Sequence, residues 1–211
     1  MFFMKELLIA TRNYGKHKEI EAILSTLPIK FYNLNDLSIK EDIEETGDSY
    51  EVNAIIKAKF FAELSGIPTL ADDSGIQVEA LFHELGIHTR RWGAGENATD
   101  EEWLEYFLNR MKKEKNKKAC FFTTLAFMES KDSKPLIFTG ICEGIITDKV
   151  EAEYLPGIPL SATFKPKGLP VVYSALSVED KGKISHRGRA AKQFYDFLQD
   201  KYFKADYYAI F

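Results

Sequence analysis

Residues 67–75 read Ile-Pro-Thr-Leu-Ala-Asp-Asp-Ser-Gly, an apolar stretch that ends in two adjacent carboxylates. The apolar part predicts a strand at Thr69–Ala71, because short apolar runs bounded by turn-forming residues are typical of buried strands. Gly75 would let the backbone turn after that strand. Neighbouring side chains on a strand point to opposite faces, so Asp72 and Asp73 can converge on one cavity at its end or divide two tasks.

Two adjacent carboxylates followed by Ser74 favour a metal and acid/base site. A hard cation such as Mg²⁺ takes oxygen ligands, and usually only one or two of them are protein carboxylates. The alternative is an ordinary turn, since Asp, Ser and Gly all favour turns. The two interpretations can be weighed only with the other polar clusters of the chain.

The first of these clusters is residues 11–16, Thr-Arg-Asn-Tyr-Gly-Lys, between an apolar run and a helical stripe of apolar residues. The run predicts a strand at Glu6–Ala10. A helix that begins next offers unpaired N–H groups to an anion, with Lys16 as a positive charge beside it. Thr11 and Asn13 could equally be ordinary caps, with Lys16 solvated. The segment is not a P-loop, because Ala10 replaces the first glycine and His17 replaces the Ser or Thr that would hold magnesium.

A second helix is predicted from about Ser49 to Leu64, with Val52, Ile55 and Ile56 toward the core. Asn53 and Lys57 are four residues apart, so both can face the same cleft, although a solvated Asn and Lys is the commoner outcome for such a pair. Glu44-Glu45-Thr46-Gly47 places a carboxylate before a flexible turn just ahead of this helix.

A third cluster lies near the other end of the chain and contains Lys181 and the run Ile184-Ser185-His186-Arg187-Gly188. It leads into a predicted helix with an apolar stripe at Ala190, Ala191, Phe194 and Leu198. Arg187 offers bidentate donors that suit a phosphate or a base edge, and His186 can donate or accept a hydrogen bond. Taken alone, His-Arg at a helix start is most often a solvated cap.

Apolar runs that alternate with helical stripes predict an α/β fold. A helix is predicted at Thr99–Met111, with Thr99 as its cap and Glu102 completing a capping box. Trp103 is expected in the core. The longest run should bend or bulge at Gly140 or Gly144. Strands in addition to the two already named are predicted at Ile29–Tyr32, Cys120–Met128, Leu136–Asp148 and Val171–Tyr173.

The composition indicates an intracellular enzyme and excludes several other classes. The 211 residues contain no obvious linker and suit one domain, 1–211, of two closely joined lobes. The net charge of −4 does not indicate a nucleic-acid-binding protein, so no nucleic-acid partner is expected. Cys120 and Cys142 have no metal-ligand spacing and are expected to be free core thiols. We expect a cytoplasmic protein without a membrane partner, since no apolar run is of spanning length and no signal peptide is evident.

Six motifs, in this order and spacing, resemble the inosine triphosphate pyrophosphatase family, which removes deaminated purine nucleoside triphosphates. They span nearly the whole chain: ATRNYGK (10–16), ETG (45–47), NAIIKA (53–58), LADDSG (70–75), TRRWGAGENATDEE (89–102) and KGKISHRG (181–188). The resemblance implies an elongated mixed β-sheet flanked by helices, in two lobes with a central cleft. It also implies a homodimer, which local patterns alone do not indicate.

The resemblance also implies a role for each matching residue in Mg²⁺-dependent hydrolysis between the α and β phosphates of a nucleoside triphosphate. Asp73 would accept the proton of the attacking water. The metal would be held by Glu45, Asp72 and Asp73. The nucleotide would be held by Thr11, Asn13 and Lys16 at the phosphates, by Lys57 at the triphosphate, and by Ser74, Lys181, His186 and Arg187, the last two mainly at the base.

Three departures from the family pattern put the base preference in question. Val52 replaces a glutamate before the helix asparagine, and Arg90 replaces a small residue before Arg91 and Trp92. The stretch Pro156-Gly157-Ile158-Pro159-Leu160-Ser161 replaces a glycine-aromatic loop, and both the aromatic residue and the aspartate are gone. Prolines fix backbone angles and remove donors, so this loop should be stiffer and less polar.

Three other functions therefore remain open at this stage. The altered loop could leave a nucleotide-binding regulatory module without hydrolysis, or the same chemistry on a different modified nucleotide. A structural or interaction protein that keeps only the fold is the third.

Overall fold

The computed structural model describes residues 4–82, 84–86, 89, 92–95 and 97–203. Its six strands are β1 (Glu6–Ile9), β2 (Lys30–Tyr32), β3 (Thr69–Val78), β4 (Lys118–Met128), β5 (Leu136–Ile146) and β6 (Phe164–Pro166). Its α-helices are α1 (Tyr14–Leu24), α2 (Tyr50–Ser65), α3 (Asp100–Met111), α4 (Val178–Ile184) and α5 (His186–Leu198). Short 3₁₀ turns lie at Glu79–Leu81, Pro159–Ala162 and Tyr173–Ala175, and a π turn lies at Gln199–Phe203.

The strands form one mixed sheet in the order β2-β1-β3-β4-β5-β6. β1 is parallel to both of its neighbours, whereas β3, β4, β5 and β6 are successively antiparallel. β1 pairs with β3 only through Leu8 and Ile9, which lie opposite Thr69 and Leu70. Beyond Ala10 the edge of β3 has no β1 partner. The candidate site described below lies at this opening.

Helices cover both faces of the sheet at the β1 end. Leu7 and Ile9 point to the face covered by α1 and α5, and Leu8 points to the face covered by α2, as alternation along a strand requires. The other end of the sheet packs on α3 through Trp103 and Phe107. The two ends make two lobes, so the predicted mixed α/β sheet in two lobes is confirmed.

Strand β3 differs from its prediction in a way that matters for the site. It continues through Asp72, Asp73 and Ser74 to Val78 and does not turn at Gly75. The reason is β4, whose residues pair with every position of β3. Gly75 is needed for close approach, since a Cβ there would lie 2.6 Å from the Tyr50 hydroxyl oxygen.

Other predicted elements hold with corrections. Val171–Tyr173 is not a strand, because the chain makes a 3₁₀ turn at Tyr173–Ala175. β5 pairs with β4 without interruption, so it does not bulge at Gly140 or Gly144. Gly140 instead lets the start of α5 approach the sheet, because a Cβ at position 140 would overlap the His186 carbonyl. The capping box at Thr99 and Glu102 is confirmed.

The buried stripe of α2 is only in part the predicted one: Ile55 packs against the core, but Val52 does not belong to the stripe. Val52 is 40% exposed, whereas Ala54, Ala58, Phe61 and Ala62 are buried. Alanines at these positions let the helix lie close to the sheet, and close packing outweighs the size of Val52. Among the described residues, no helix combines the length and the apolar character needed to cross a bilayer.

Candidate functional site

A cavity of about 390 Å³ opens beside β3 where β1 ends. Its lining comes from α1, α2, β3, the loop at 157–161 and the start of α5. All the site residues expected from the sequence line this one cavity: Thr11, Asn13, Lys16, Glu45, Lys57, Asp72, Asp73, Ser74, Lys181, His186 and Arg187. Residues from both ends of the chain therefore meet around one hollow.

Asp72 and Asp73 reach the same cavity from opposite faces of the sheet. Asp72 contacts residues of α1 and α5, and Asp73 contacts Lys57 of α2. Both line the cavity, because the edge of β3 next to them has no β1 partner. The two carboxylates share one cavity and have separate partners.

Asp72 is the centre of a network of ion pairs and hydrogen bonds. Its carboxylate lies 2.7 Å from Lys16 Nζ and 3.4 Å from Arg187 Nε, and its side chain has no exposed surface. It also accepts hydrogen bonds from the hydroxyls of Thr123 and Ser74. Burial alone would raise the pKa of Asp72, but Lys16 and Arg187 hold it far below its usual range. Asp72 is therefore ionised and already engaged by cations.

Asp73 has few partners. Its Oδ1 lies 3.4 Å from Lys57 Nζ, and its Oδ2 is buried and makes no hydrogen bond within the described part of the chain. Burial raises the pKa of Asp73 despite the opposing charges of Lys57 and Lys16. A buried carboxylate that gains from protonation and has one oxygen free to accept is suited to taking a proton.

Lys57 of α2 contacts acidic groups of the loop before α2 and of β3. Its ammonium donates to Glu45 Oε1 at 2.7 Å and to the Asp72 carbonyl at 2.6 Å. Burial would lower the pKa of Lys57, but the charges of Asp73 and Glu45 raise it. The loop that carries Glu45 is fixed by Asn53, whose Oδ1 accepts from Gly47 N at 2.8 Å. Asn53 is thus buried in support of this loop and does not face the cleft.

The N-terminus of α1 is built by Asn13 as its cap. Asn13 Oδ1 accepts from Lys16 N at 3.0 Å, and Asn13 Nδ2 donates to the Gly157 carbonyl at 2.7 Å. Thr11 Oγ1 accepts from Asn13 N at 3.1 Å. Both side chains line the cavity, as expected. The hydrogen bonds of Asn13 join the start of α1 to the loop at 157–161.

His186 and Arg187 start α5 at the far end of the cavity. The His186 ring stacks on Phe121 with centroids 4.6 Å apart, and its Nδ1 is buried without a partner in the described chain. Burial, followed by the charge of Arg187, lowers the pKa of His186 well below its usual value, so the ring is neutral. Arg187 Nη2 donates to Ser74 Oγ at 2.9 Å.

A family model described as the Ham1 family matches residues 7–197. The chain belongs to the Ham1 family. A protein of Leptospira interrogans named dITP/XTP pyrophosphatase is 34% identical, over 93% of this chain and 98% of that protein. A protein of Legionella pneumophila with the same name is 38% identical, over 93% of this chain and all of that one.

Solved structures of the Ham1 family have the same architecture. A HAM1 protein of Coxiella burnetii has a TM-score of 0.79 and 35% identity, over 93% of this chain and 100% of that one. The Ham1 protein of Staphylococcus aureus has a TM-score of 0.77 and 33% identity, over 93% and 99%. The fold described above is therefore that of the Ham1 family.

Glu19 is a site residue that the sequence reasoning missed. It lies on α1, three residues after Lys16, and forms ion pairs with both Lys181 and Arg187. Burial would raise its pKa, but Arg187 and Lys181 together lower it. The available signal was its spacing, because residues three apart share a helix face. Glu19 orders the two cations at the end of the cavity that also contains His186.

Arg12 was also missed, and it acts on the loop before Glu45. Its guanidinium donates to the carbonyls of Ile39 at 3.2 Å and Glu41 at 2.7 Å. The sequence held no signal for these bonds, because their acceptors are main-chain atoms of a loop about 30 residues away. Arg12 thus connects the segment just before α1 to the loop that carries Glu45.

The Pro156–Ser161 stretch, where this chain departs from the family pattern, is well packed. Gly157 has a positive φ of 85°, and its N–H donates to Asp100 at 2.5 Å. Pro159 opens a buried 3₁₀ turn, and Ile158 packs on Gly15, where a Cβ would lie 2.7 Å from its side chain. The loop is apolar and is hydrogen-bonded to residues at the start of both α1 and α3.

A second hollow of about 310 Å³ lies behind this loop. It shares Glu19, Ile158, Ser161, Tyr173 and Lys181 with the first. The shared wall is thus made by the altered loop, by Tyr173 and by the ion pair of Glu19 with Lys181. Of the other departures, Val52 is exposed on α2, Trp92 packs edge-on against Tyr106, and Arg90 and Arg91 lie outside the described residues.

Proposed function

We propose that this protein hydrolyses nucleoside triphosphates of deaminated purines between the α and β phosphates, releasing pyrophosphate and a nucleoside monophosphate. The observation that carries this proposal is the meeting of Lys16, Lys57, Asp73 and Arg187 in one cavity. Membership of the Ham1 family and relatives named dITP/XTP pyrophosphatase support the substrate class.

The triphosphate would lie between the start of α1 and α2. Lys16 and Lys57 supply fixed positive charge there, and the N-terminus of α1 supplies the positive end of a helix dipole. Both lysine side chains are less than one fifth exposed, so their charges are only weakly screened by solvent. This arrangement favours a polyanion over a neutral ligand.

We propose Mg²⁺ as the cofactor, with Glu45 and Asp73 as the residues that would hold it. Their oxygens already meet around one cation, the Lys57 ammonium, at 2.7 and 3.4 Å. Within the described ranges, no cluster of three or more His, Cys, Asp or Glu residues could hold a metal. Two carboxylates suit Mg²⁺, which fills its other positions with water and substrate phosphates. When bound, Mg²⁺ neutralises charge on the phosphates and on the departing pyrophosphate.

Asp72 is less suited to the metal than Asp73, because Lys16, Arg187 and two hydroxyls already contact its carboxylate. Its role is to hold Lys16 and Arg187 in place. Asp73 would accept the proton of the attacking water through the oxygen that has no other hydrogen-bond partner in the described chain. Neighbouring carboxylates would in this way perform different tasks.

The base would lie at the end of the cavity formed by Lys181, His186 and Arg187. Neutral His186 offers a ring nitrogen, and the two cations offer donors to an exocyclic oxygen. The altered loop favours a second candidate, the same hydrolysis on another modified nucleotide. In this loop Ile158 and Leu160 are apolar, and the aromatic residue and the aspartate of the family pattern are absent.

Pyrophosphate release from ITP, dITP, XTP and the canonical triphosphates, with and without Mg²⁺, tests the proposal. We expect turnover of deaminated purine nucleotides and its loss in EDTA. Turnover confined to another base would favour the second candidate. Binding measured by thermal shift without any pyrophosphate release would identify a regulatory nucleotide-binding module, and neither binding nor turnover would contradict both enzymatic functions.

We also propose that the protein works as a homodimer, as the family resemblance implies. Ile141 and Ile145 on β5 are 47% and 45% exposed, so the sheet offers apolar surface that a second copy could cover. Light scattering coupled to size-exclusion chromatography measures the mass directly. A monomer at working concentrations would contradict this proposal without affecting the proposed reaction.

A cytoplasmic location remains part of this proposal. Cys120 and Cys142 are both free thiols. Cys142 is directly opposite Phe121 and shares its face of the sheet, so Cys120, the residue before Phe121, lies on the other face. Unpaired thiols are typical of proteins from reducing compartments. Fractionation of cells that express the protein at its natural level tests the location.

A further inference from the structure

Trp103 of α3 lines the cavity and has had no role there so far. The side chain is 2% exposed, so it belongs to the core, as the sequence predicted. Its indole Nε1–H is buried and makes no hydrogen bond within the described part of the chain. A buried indole N–H normally has a partner, because an unpaired donor has lost water without gaining another acceptor. The acceptor that completes this donor must therefore come from what fills the cavity.

Trp103 belongs to the wall at the end of the cavity where the base would lie. It packs in one core cluster with Phe121, Leu160 and Tyr173, and all four residues line the cavity. The rings of Phe121 and Tyr173 both stack on His186, with centroids 4.6 and 6.1 Å away. The apolar wall that contains Trp103 therefore adjoins His186, one of the residues expected at the base.

The indole is held in place by its neighbours on α3. Its ring stacks on Phe107, one turn further along the helix, with centroids 5.4 Å and planes 10° apart. One turn earlier, Asp100 accepts the hydrogen bond from Gly157 N, which connects α3 to the altered loop. That loop lacks the aromatic residue and the aspartate of the family pattern. Trp103 is thus an ordered aromatic donor on the helix that anchors the altered loop.

We propose that Trp103 determines base selectivity by donating its indole N–H to a carbonyl oxygen of the base, an inference that rests on the proposed function. An indole N–H is a donor only, so it requires an acceptor. Hypoxanthine and xanthine carry a carbonyl oxygen where adenine carries an amino group, which presents hydrogens of its own. A carbonyl oxygen has two lone pairs, so it can accept from Trp103 and from Lys181 or Arg187 together.

Adenine would leave the indole N–H unpaired, and a hydrogen-bonding site rejects an analogue that lacks the matching group in this way. Guanine carries the same carbonyl oxygen as hypoxanthine. Trp103 therefore separates deaminated purines from adenine, and the exclusion of guanine depends on other residues.

The variant Trp103→Phe tests this role, because phenylalanine keeps an aromatic ring beside Phe107 and removes the N–H. We expect kcat/KM for dITP to fall about five- to tenfold, the worth of one neutral hydrogen bond, and kcat/KM for dATP to stay within about twofold of the wild type. Trp92→Phe is the matched control. Trp92 packs against the same core cluster but lies outside the cavity lining that the described residues form. Its ratio of kcat/KM for dITP to that for dATP should equal the wild-type ratio.

The indole proton gives a second readout that does not depend on turnover. The chain has two tryptophans, so nitrogen-15-labelled protein should give two indole N–H signals in its NMR spectrum, and Trp92→Phe identifies the signal of Trp103. The probe is dIMP, the expected product of dITP. It should move the Trp103 signal downfield as the hydrogen bond forms, whereas dAMP should not.

Equal losses for dITP and dATP in Trp103→Phe would indicate a structural role and overturn the proposal, as would an unchanged kcat/KM for dITP. An indole signal that stays in place while other signals show that dIMP is bound would also overturn it, and would leave a buried water as the partner of Trp103. In each of these cases dITP hydrolysis by the wild type would leave the proposed function standing. A wild type that releases no pyrophosphate would contradict that function itself.

Discussion

Lys16 on α1 and Asp72 on β3 form an ion pair, with Nζ 2.7 Å from Oδ2 and the carboxylate fully buried. The lysine is thereby held at the mouth of the cavity before any substrate arrives. A side chain that is already ordered loses less entropy when it binds a phosphate. The pair links a cation of the proposed triphosphate site to the strand that carries the proposed base, Asp73.

Replacing Lys16 with alanine should weaken triphosphate binding more than it slows the reaction. We expect KM for dITP to rise about tenfold or more, because a charge-assisted hydrogen bond contributes about 1.5–3 kcal/mol. Steady-state kinetics of purified protein measure this. Lys18→Ala on the same helix is the control, since Lys18 is about half exposed and pairs with Glu21. Equal kinetic constants for Lys16→Ala and the wild type would remove Lys16 from the site.

Replacing Asp73 with asparagine should lower turnover, whereas replacing Asp72 with asparagine should lower the stability of the fold. Asp73→Asn should cut kcat about 10²- to 10⁴-fold, the usual contribution of a positioned general base. Its unfolding midpoint should stay level or rise, because burial already disfavours the charge of this carboxylate. Asp72→Asn should instead destabilise the fold by about 3–5 kcal/mol, because Lys16 and Arg187 lose a buried partner.

Thermal and urea unfolding of both variants, beside dITP turnover, measure these effects. Asn at either position has nearly the shape of Asp, so differences reflect charge and not packing. A stable and fully active Asp73→Asn protein would show that another group accepts the proton. Equal destabilisation by both substitutions would contradict the division of roles between the two carboxylates.

The α/β class could be predicted from the sequence, and so could the candidate residues that line the cavity, because short-range patterns mark both. Local signals in the sequence mark the apolar run before Asp72, the cap at Asn13 and the His-Arg start of α5. That these segments share one cavity could not be seen from any one of them. The family resemblance supplied that step, since motif order along a whole chain carries long-range information that periodicity does not.

What the sequence did not reveal depends on contacts between distant segments. β3 runs past Gly75 because β4 pairs with it throughout, and no local feature of Asp-Asp-Ser-Gly opposes a turn. The ion pairs of Glu19 join α1 to residues more than 160 positions later. The buried stripe of α2 was misplaced because size suggested Val52, whereas close approach to the sheet selects alanines.

Glu19→Gln should cost about 3–5 kcal/mol of unfolding free energy at neutral pH, because Lys181 and Arg187 each lose a buried carboxylate partner. The folded-state pKa of Glu19 is lowered, so its contribution is present above the pKa of the unfolded state, about 4.3. That contribution is lost as the pH falls from there toward the folded-state pKa. The stability gap between wild type and variant should therefore narrow below about pH 4.

Urea unfolding of both proteins between pH 3 and 8 measures this gap. Glu21→Gln is a suitable control, because Glu21 lies on the same helix and, among the described ion pairs, contacts only the exposed Lys18 and, at 3.8 Å, His17. A gap that stays constant to pH 3 would mean that the charge of Glu19 contributes nothing to the fold.

Arg12→Ala should raise the Mg²⁺ concentration needed for half-maximal turnover. The guanidinium fixes the carbonyls of Ile39 and Glu41, and the loop that follows them carries Glu45. A ligand on a looser loop binds metal less tightly, since ordering that loop then costs entropy at each binding event. Removal of groups that orient metal ligands typically lowers affinity about 10- to 100-fold, and we expect the lower end of that range because Arg12 is exposed.

Turnover measured against Mg²⁺ concentration at saturating dITP gives the change in Mg²⁺ affinity separately from any change in nucleotide affinity. Arg12→Lys keeps the charge but cannot reach two carbonyls with one planar group, so it should lie close to the alanine variant. If lysine restores the Mg²⁺ requirement of the wild type while alanine does not, Arg12 acts by its charge on the phosphates. The bonds to Ile39 and Glu41 would then have no part in holding Glu45.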